Sequence, residues 1–235
     1  MSLTVLHAPL KSSWAAKHPN VVRDQLAAHR PTMVGLTEAY PGPVRQMIRE
    51  DLTKDFRQVV EHGGSDSRRG QYDNPILVRA DLRSLGSGQV FGAEASQPER
   101  IAPERWFTWS TVVVDGRPVF YLTMHPHAGV QSKVTGRLNG TARAAEFAAQ
   151  MKRLDALLTF AEAMGWDIVV SGDANFRDHG GDASSPYRIL RAHGLVVFVH
   201  GLDFIASTKR LRLTVTKHTA PRSITDHPWL KATNH

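Results

Sequence analysis

Residues 171–180, with the sequence SGDANFRDHG, decide how the rest of the chain is interpreted. An apolar run from Trp166 to Val170 precedes them and gives way to two carboxylates, an amide, a guanidinium and an imidazole. The run is rich in β-branched residues, which predicts a buried strand whose carboxyl end opens into a polar loop. Gly172 allows a tight turn there, and Asp173 and Asn175 are predicted to project to the same side. Because Gly, Asp and Asn are also common in surface turns, this stretch by itself leaves both interpretations open.

The composition is that of a globular protein. The chain has 235 residues, of which 41% are hydrophobic and 22% are charged, so we predict a single domain covering residues 1–235. No apolar run approaches the roughly 20 residues that span a bilayer, and the N-terminus lacks the basic start and apolar core of a signal peptide. The absence of cysteine excludes a disulfide framework and a thiolate nucleophile. We therefore expect a cytoplasmic protein with no membrane association.

The charge favours polyanionic partners. A formal net charge of +7 suits nucleic acid, a phosphorylated small molecule or an anionic membrane surface. Two stretches are candidates for contact with a phosphate backbone, namely the Gly- and Arg-rich residues 61–74 and a basic edge made of Lys209, Arg210, Arg212 and Lys217. A solvated loop and a charged strand edge that prevents aggregation explain these stretches equally well.

Hydrophobic periodicity predicts strands that alternate with helices. The predicted strands are residues 3–7, 33–37, 76–78, 107–114, 119–124, 167–170, 195–199, 201–207 and 211–217. The predicted helices are residues 19–30, 44–52, 143–164 and 186–193. Asp115 and Gly116 lie between two β-rich runs and predict a hairpin, whereas residues 81–105 are expected to be irregular with edge strands.

Polar side chains recur at or beside the ends of these β-rich runs. Each one alone has an ordinary explanation as a solvated cap or a packing residue. Their recurrence along one chain predicts a single site where several strand ends converge. The set comprises Glu38, His125, Asp173, Asn175, Asp203, Asp226 and His227.

The order and local sequence of these groups resemble the endonuclease/exonuclease/phosphatase superfamily, which includes DNase I and exonuclease III-type enzymes. The resemblance runs almost end to end and is carried by GLTE (35–38), LTMH (122–125), GDAN (172–175), LDFI (202–205) and TDHP (225–228). It implies an α/β fold of the DNase I-like kind, a four-layered sandwich in which two packed, mixed β-sheets are flanked by helices.

The resemblance also implies a divalent-metal-dependent phosphodiester hydrolase. It assigns Glu38 and Asp226 to a Mg²⁺ or Mn²⁺ ion, and His227, oriented by Asp203, to the general base. Asp173 is the alternative activator of the attacking water, and the sequence leaves that choice open. Asn175 and His125 are expected to donate hydrogen bonds to the scissile phosphate.

One position departs from the family pattern. The first strand of the family normally ends with an Asn that helps to hold the metal, and His7 stands at the equivalent position here. Mg²⁺ prefers oxygen ligands, so an imidazole at this position is expected to contact phosphate, to support the ligands from behind, or to favour a softer ion such as Mn²⁺. His7 is therefore included among the candidate metal ligands.

The basic charge makes nucleic acid the expected substrate, with DNA favoured over RNA and either endonuclease or exonuclease action. A phosphomonoesterase or small-molecule phosphodiesterase of the same fold is the first alternative, because fold does not determine substrate. A catalytically weakened nucleic-acid-binding module is the second, since His7 replaces the expected Asn. We expect a monomer and predict no protein partner.

Overall fold

The computed structural model describes residues 2–39, 42–58, 73–93, 105–132, 137–177 and 182–234. The candidate loop 61–74 lies outside the described residues, except for Asp73 and Asn74. Residues 178–180 of the SGDANFRDHG stretch also lie outside them.

The described residues form twelve strands and five α-helices. The strands are β1 Thr4–Pro9, β2 Met33–Thr37, β3 Phe56–Gln58, β4 Ile76–Arg79, β5 Ser84–Ala93, β6 Arg105–Val114, β7 Arg117–Met124, β8 Asp167–Asp173, β9 Leu195–His200, β10 Asp203–Thr208, β11 Leu213–His218 and β12 Trp229–Asn234. The helices are α1 Ser12–Ala15, α2 Pro19–His29, α3 Gly42–Asp51, α4 Ala142–Ala163 and α5 Pro186–Ala192. No described helix has both the length and the apolar character needed to cross a bilayer.

The strands form two sheets of six. The first sheet has the order β11-β12-β1-β2-β4-β3, and the second has the order β5-β6-β7-β8-β10-β9. Each sheet contains one parallel pair, β1 with β2 and β7 with β8, and its other pairs are antiparallel. Both sheets are therefore mixed, as predicted.

Apolar residues on alternate positions of the strands place helices outside and the sheets against each other. In β1, Leu6 packs with α2 and α3, whereas Val5 lies in the core between the two sheets. In the second sheet, Val170 packs under α4, and Val169 faces the first sheet. This period of two produces four layers, helix, sheet, sheet and helix, which confirms the predicted architecture.

Two glycines allow close packing beside the polar strand ends. A Cβ at Gly35 would lie 2.4 Å from the Tyr121 hydroxyl, so the sheets could not approach as closely with any other residue. A Cβ at Gly172 would lie 2.1 Å from the carbonyl oxygen of Met124 on the neighbouring strand. The prediction that Gly172 serves a turn was wrong, since β8 continues through Asp173 and the glycine is required by the approach of β7.

Most predicted elements are confirmed, and the differences lie at sheet edges and near the C-terminus. The hairpin turn at Asp115 and Gly116 is present, with φ of 49° and 76°. Residues 84–93, in the stretch expected to be irregular with edge strands, form the ten-residue edge strand β5. The strand β12 was not predicted, although it pairs with β1 and β11 in the interior of the first sheet.

Candidate active site

Strand directions bring the polar groups to one end of the molecule. The carboxyl ends of the parallel strands β1 and β2 lie beside the starts of their antiparallel neighbours β12 and β4. In the second sheet, the carboxyl ends of β7 and β8 lie beside the starts of β6 and β10. Residues at the carboxyl ends of β1, β2, β7 and β8 therefore lie at the same edge as residues at the starts of β12, β4, β6 and β10.

Asp203 is the centre of the buried part of the site. It is the first residue of β10, lies directly opposite Asp173 in the sheet, and is 2% exposed. His227 Nδ1 donates to Asp203 Oδ2 over 2.8 Å, and His7 Nε2 donates to Asp203 Oδ1 over 3.0 Å. One carboxylate thus orients two imidazoles, and Nε2 is the ring nitrogen of His227 that Asp203 does not engage.

The neighbouring charges shift the protonation of this pair. Burial raises the pKa of Asp203, but the hydrogen bonds from His227 and His7 outweigh it and hold the pKa below its ordinary value. The hydrogen bond to Asp203 raises the pKa of His227 to about 9, against the opposing effect of burial. When only the protein's own charged groups act on it, the His227 imidazole is therefore protonated at neutral pH and acts as a proton donor.

A second carboxylate–imidazole pair lies in the same site. His125 Nδ1 donates to Asp73 Oδ2 over 2.7 Å, and Arg105 Nη1 donates to the same oxygen over 2.8 Å. Burial lowers the pKa of His125, but the Asp73 carboxylate outweighs burial and raises the pKa above its ordinary value. Burial alone would raise the pKa of Asp73, and the two cationic neighbours hold it below its usual value.

Asp173 and Asn175 lie between these two pairs. Nε2 of His125 is 3.9 Å from Asp173 Oδ2, while Asp173 Oδ1 accepts the backbone N–H of Asn175 over 2.8 Å. The Asn175 amide donates to the carbonyl oxygen of Pro126 over 2.8 Å. Asn175 has φ of 48°, a left-handed conformation that Asn tolerates better than most residues, and this conformation aims the segment after β8 across the end of β7.

Glu38 and Asp226 lie on the first-sheet side of the site. Glu38 follows β2 with φ of 57°, an uncommon conformation for Glu, and its Oε2 accepts the backbone N–H of Ser12 over 3.2 Å. Asp226 is half-exposed and accepts a hydrogen bond from Lys11 Nζ over 2.8 Å. Because Lys11 and Ser12 are consecutive, the start of α1 donates hydrogen bonds to both candidate metal ligands, Glu38 and Asp226.

The donor groups fit a divalent cation. One ligand atom each from Asp173, Asp203 and His227 lies within 4.8 Å of the others, and an imidazole beside two carboxylates suits Mn²⁺ better than Mg²⁺, which prefers oxygen ligands. Glu38 and Asp226 add carboxylate oxygens at the rim. His7 has one ring nitrogen engaged by Asp203, and its Nδ1 is buried without a hydrogen-bond partner among the described residues. Its role as a ligand stays a prediction.

The structure thus brings the predicted residues to one edge and adds residues that sequence analysis missed. His7, Asp203, His227, Asp173, Asn175 and His125 form a chain of direct or near contacts. The additions are Asp73 and Arg105, which hold His125. Their only sequence signal was a charged residue shortly before a β-rich run, since Asp73 precedes β4 and Arg105 begins β6.

Of the basic edge, Arg210 is bound to Asp167 at the opposite end of β8, so it does not face this site. Lys217 lies in a surface pocket that also includes Asp226 and His227. The predicted basic edge is therefore divided between two ends of the molecule.

Comparison with known proteins supports the fold. No protein-family model matches the chain, and no curated protein sequence matches it. Solved structures do match. Truncated Caenorhabditis elegans TDP2 is 14% identical with a TM-score of 0.72, covering 100% of this chain and 98% of that one. D. rerio TDP2 complexed with single strand DNA product is 15% identical with a TM-score of 0.62, covering 100% and 99%.

Sphingomyelinase C from Streptomyces griseocarneus is similar to the same degree. It is 17% identical with a TM-score of 0.65, and the match covers 100% of both chains. Similarity of this kind over whole chains identifies the architecture but not the substrate. Together with the two mixed six-stranded sheets, these matches show that the chain has the DNase I-like fold that the sequence motifs predicted.

Proposed function

We propose that the protein is a divalent-metal-dependent phosphodiester hydrolase that acts on nucleic acid, with DNA favoured over RNA. The observation that carries the proposal is the pair of carboxylate–imidazole contacts, Asp203 with His227 and Asp73 with His125, on either side of Asp173. Each pair fixes an imidazole through its Nδ1, and Nε2 of His125 lies 3.9 Å from Asp173 Oδ2. Two oriented donors and a nearby carboxylate are what phosphoryl oxygens and an attacking water require.

The residues divide the chemistry between them. His125 and Asn175 bind the phosphoryl oxygens as hydrogen-bond donors. Glu38 and Asp226, with His7 as a further candidate, would hold Mg²⁺ or Mn²⁺, which when bound would neutralise charge on the phosphoryl oxygens. Either Asp173 or His227 takes the proton of the attacking water. The pKa of about 9 for His227 favours Asp173 as the acceptor, with the His227 imidazolium as the donor.

Charge and a structural relative support nucleic acid as the substrate. The net charge of +7 favours a polyanion over a neutral lipid. The D. rerio TDP2 structure of the same fold contains a single strand DNA product. We further propose that residues 1–235 form one domain and that the protein acts as a monomer in the cytoplasm. Light scattering of the purified protein tests the oligomeric state.

The decisive experiment incubates the protein with supercoiled plasmid and with single-stranded oligonucleotides in Mg²⁺, Mn²⁺ or chelator. The variants are His227→Ala and His193→Ala. His193 is a matched control because it also binds a carboxylate, Asp155 at 2.9 Å, but lies on the α4–α5 side of the second sheet. Metal-dependent cleavage that is lost only in His227→Ala supports the proposal. Intact DNA with phosphate release from a monoester contradicts it and favours a phosphomonoesterase, and binding without cleavage favours a binding module.

A further inference from the structure

A surface pocket of about 420 Å³ lies beside His227. It is formed by α1 and by the segment between β11 and β12, and its wall includes Trp14, Lys217 and Arg222 together with Asp226 and His227. Its volume is within the range of about 300–1,000 Å³ that small-molecule sites occupy. The pocket is therefore large enough for a group of nucleotide size and too small for a duplex.

The pocket is continuous with the active site. Lys11 Nζ lies 4.0 Å from the centroid of the Trp14 ring and 2.8 Å from Asp226 Oδ2. Asp226 precedes His227, and both line the pocket. A contact path thus runs from the indole through the ammonium and the carboxylate to the catalytic imidazole. A ligand in the pocket lies next to any phosphate held at His227.

The charges of the pocket define what it binds. Lys11 and Asp226 neutralise each other, and the hydrogen bond from Lys11 lowers the pKa of Asp226. Lys217 and Arg222 are exposed and add two positive charges to the wall. An aromatic surface next to two cations matches a planar base that is attached to phosphates.

We propose that this pocket binds one unpaired nucleotide next to the scissile phosphate, with its base against Trp14 and its phosphates near Lys217 and Arg222. The inference rests on the proposed function and extends it by naming the substrate class as single-stranded nucleic acid. A base inside a duplex is stacked between its neighbours and reaches an aromatic side chain only after it leaves that stack. Trp14 therefore selects unpaired segments or ends.

The test measures binding rather than cleavage. Fluorescence anisotropy in chelator compares an oligothymidylate of about eight nucleotides with an abasic strand of the same length and charge. The variants are Trp14→Ala and Lys217→Ala/Arg222→Ala. Trp166→Ala is the matched aromatic control, since Trp166 is also half-buried but packs on Phe120 and Phe160 at the far end of β8. Lys54→Ala/Lys152→Ala removes the same charge elsewhere, at exposed positions between α3 and β3 and on α4.

Trp14→Ala loses the stacking of one base, so it is expected to bind the oligothymidylate about 10-fold more weakly than the parent protein does. Its binding of the abasic strand should weaken by less than about twofold. The double cation variant should bind both strands more weakly and reduce the slope of log K against log salt by about 1.4, because each phosphate contact on a single strand contributes about 0.7. Both control variants should bind as the parent does. An oligodeoxyuridylate and an oligouridylate, which differ only in the sugar, identify in parallel which sugar the pocket accepts.

If Trp14→Ala weakens binding of the oligothymidylate and of the abasic strand equally, or weakens neither, base stacking on Trp14 is overturned. If binding of a duplex depends on Trp14 to the same extent, selection for single strands is overturned. The two proposals fail separately. Metal-dependent cleavage with no effect of the pocket variants refutes the pocket alone. Binding that depends on Trp14 in a protein that cleaves no phosphodiester refutes the hydrolase alone.

Discussion

Asp203→Asn tests the centre of the site. The carboxylate is 2% exposed and accepts two imidazole hydrogen bonds, of 2.8 Å from His227 and 3.0 Å from His7. An amide of the same shape has one acceptor oxygen and one donor nitrogen. Only one imidazole can keep its acceptor, and the other faces an N–H group. The substitution therefore breaks a buried charged network without creating a cavity.

The magnitude follows from these contacts. Removing one member of a buried ion pair costs about 3–5 kcal/mol of stability. Loss of the orienting carboxylate of a catalytic imidazole lowers kcat by up to about 10⁴-fold in the Ser-His-Asp triad, and we expect a fall of about 10³-fold here. The pKa of His227 should also fall from about 9 toward its ordinary value of 6.5, because the hydrogen bond to Asp203 is its largest cause.

The assay combines steady-state cleavage of an oligonucleotide with an NMR titration of the histidines. Asp167→Asn is the matched control, because Asp167 is as buried as Asp203 but lies at the end of β8 and β10 that is remote from the site. There it accepts a hydrogen bond from Thr208 Oγ1 over 3.0 Å. Both variants should unfold more easily, and only Asp203→Asn should lose kcat. A kcat within about threefold of the parent, or an unchanged pKa of His227, would refute the reasoning.

Three further predictions concern stability and the second pair. Asp73→Asn leaves the buried His125 without its carboxylate and should lower both kcat and the free energy of unfolding, the latter by about 3 kcal/mol; a denaturant titration that matches the parent contradicts this. Gly172→Ala should destabilise the fold by several times the effect of Gly42→Ala, whose Cβ meets no atom within 4 Å, and equal midpoints would contradict the packing argument. In chelator, His227 retains a proton that the unfolded chain releases, so stability is fully present below about pH 6.5 and falls as pH rises to about 9; a flat profile that Asp203→Asn does not alter would count against the raised pKa.

Much of the fold was determined by local sequence. The alternation of Val5 and Leu6 between two cores, and of Val169 and Val170 in β8, corresponds to β-branched apolar runs that are recognisable in the amino-acid sequence. The strands missed, β3 and β12, are a three-residue edge strand and a short run with polar interruptions, whose pairing depends on distant strands. Local pattern carries no information on such pairing.

The identity of the site residues followed from short motifs, because carboxylates, amides and imidazoles at strand ends occur in a recognisable order. Their contacts did not. His7 and Asp203 are 196 positions apart, and they meet only because β1 and β10 belong to sheets that face each other. Asp73 precedes β4 and Arg105 begins β6, and only the antiparallel direction of these strands turns a strand start toward the carboxyl ends of β2 and β7. The order of residues along the chain specifies which chemical groups are available, whereas sheet order and register, set by packing across the two cores, bring particular groups into contact.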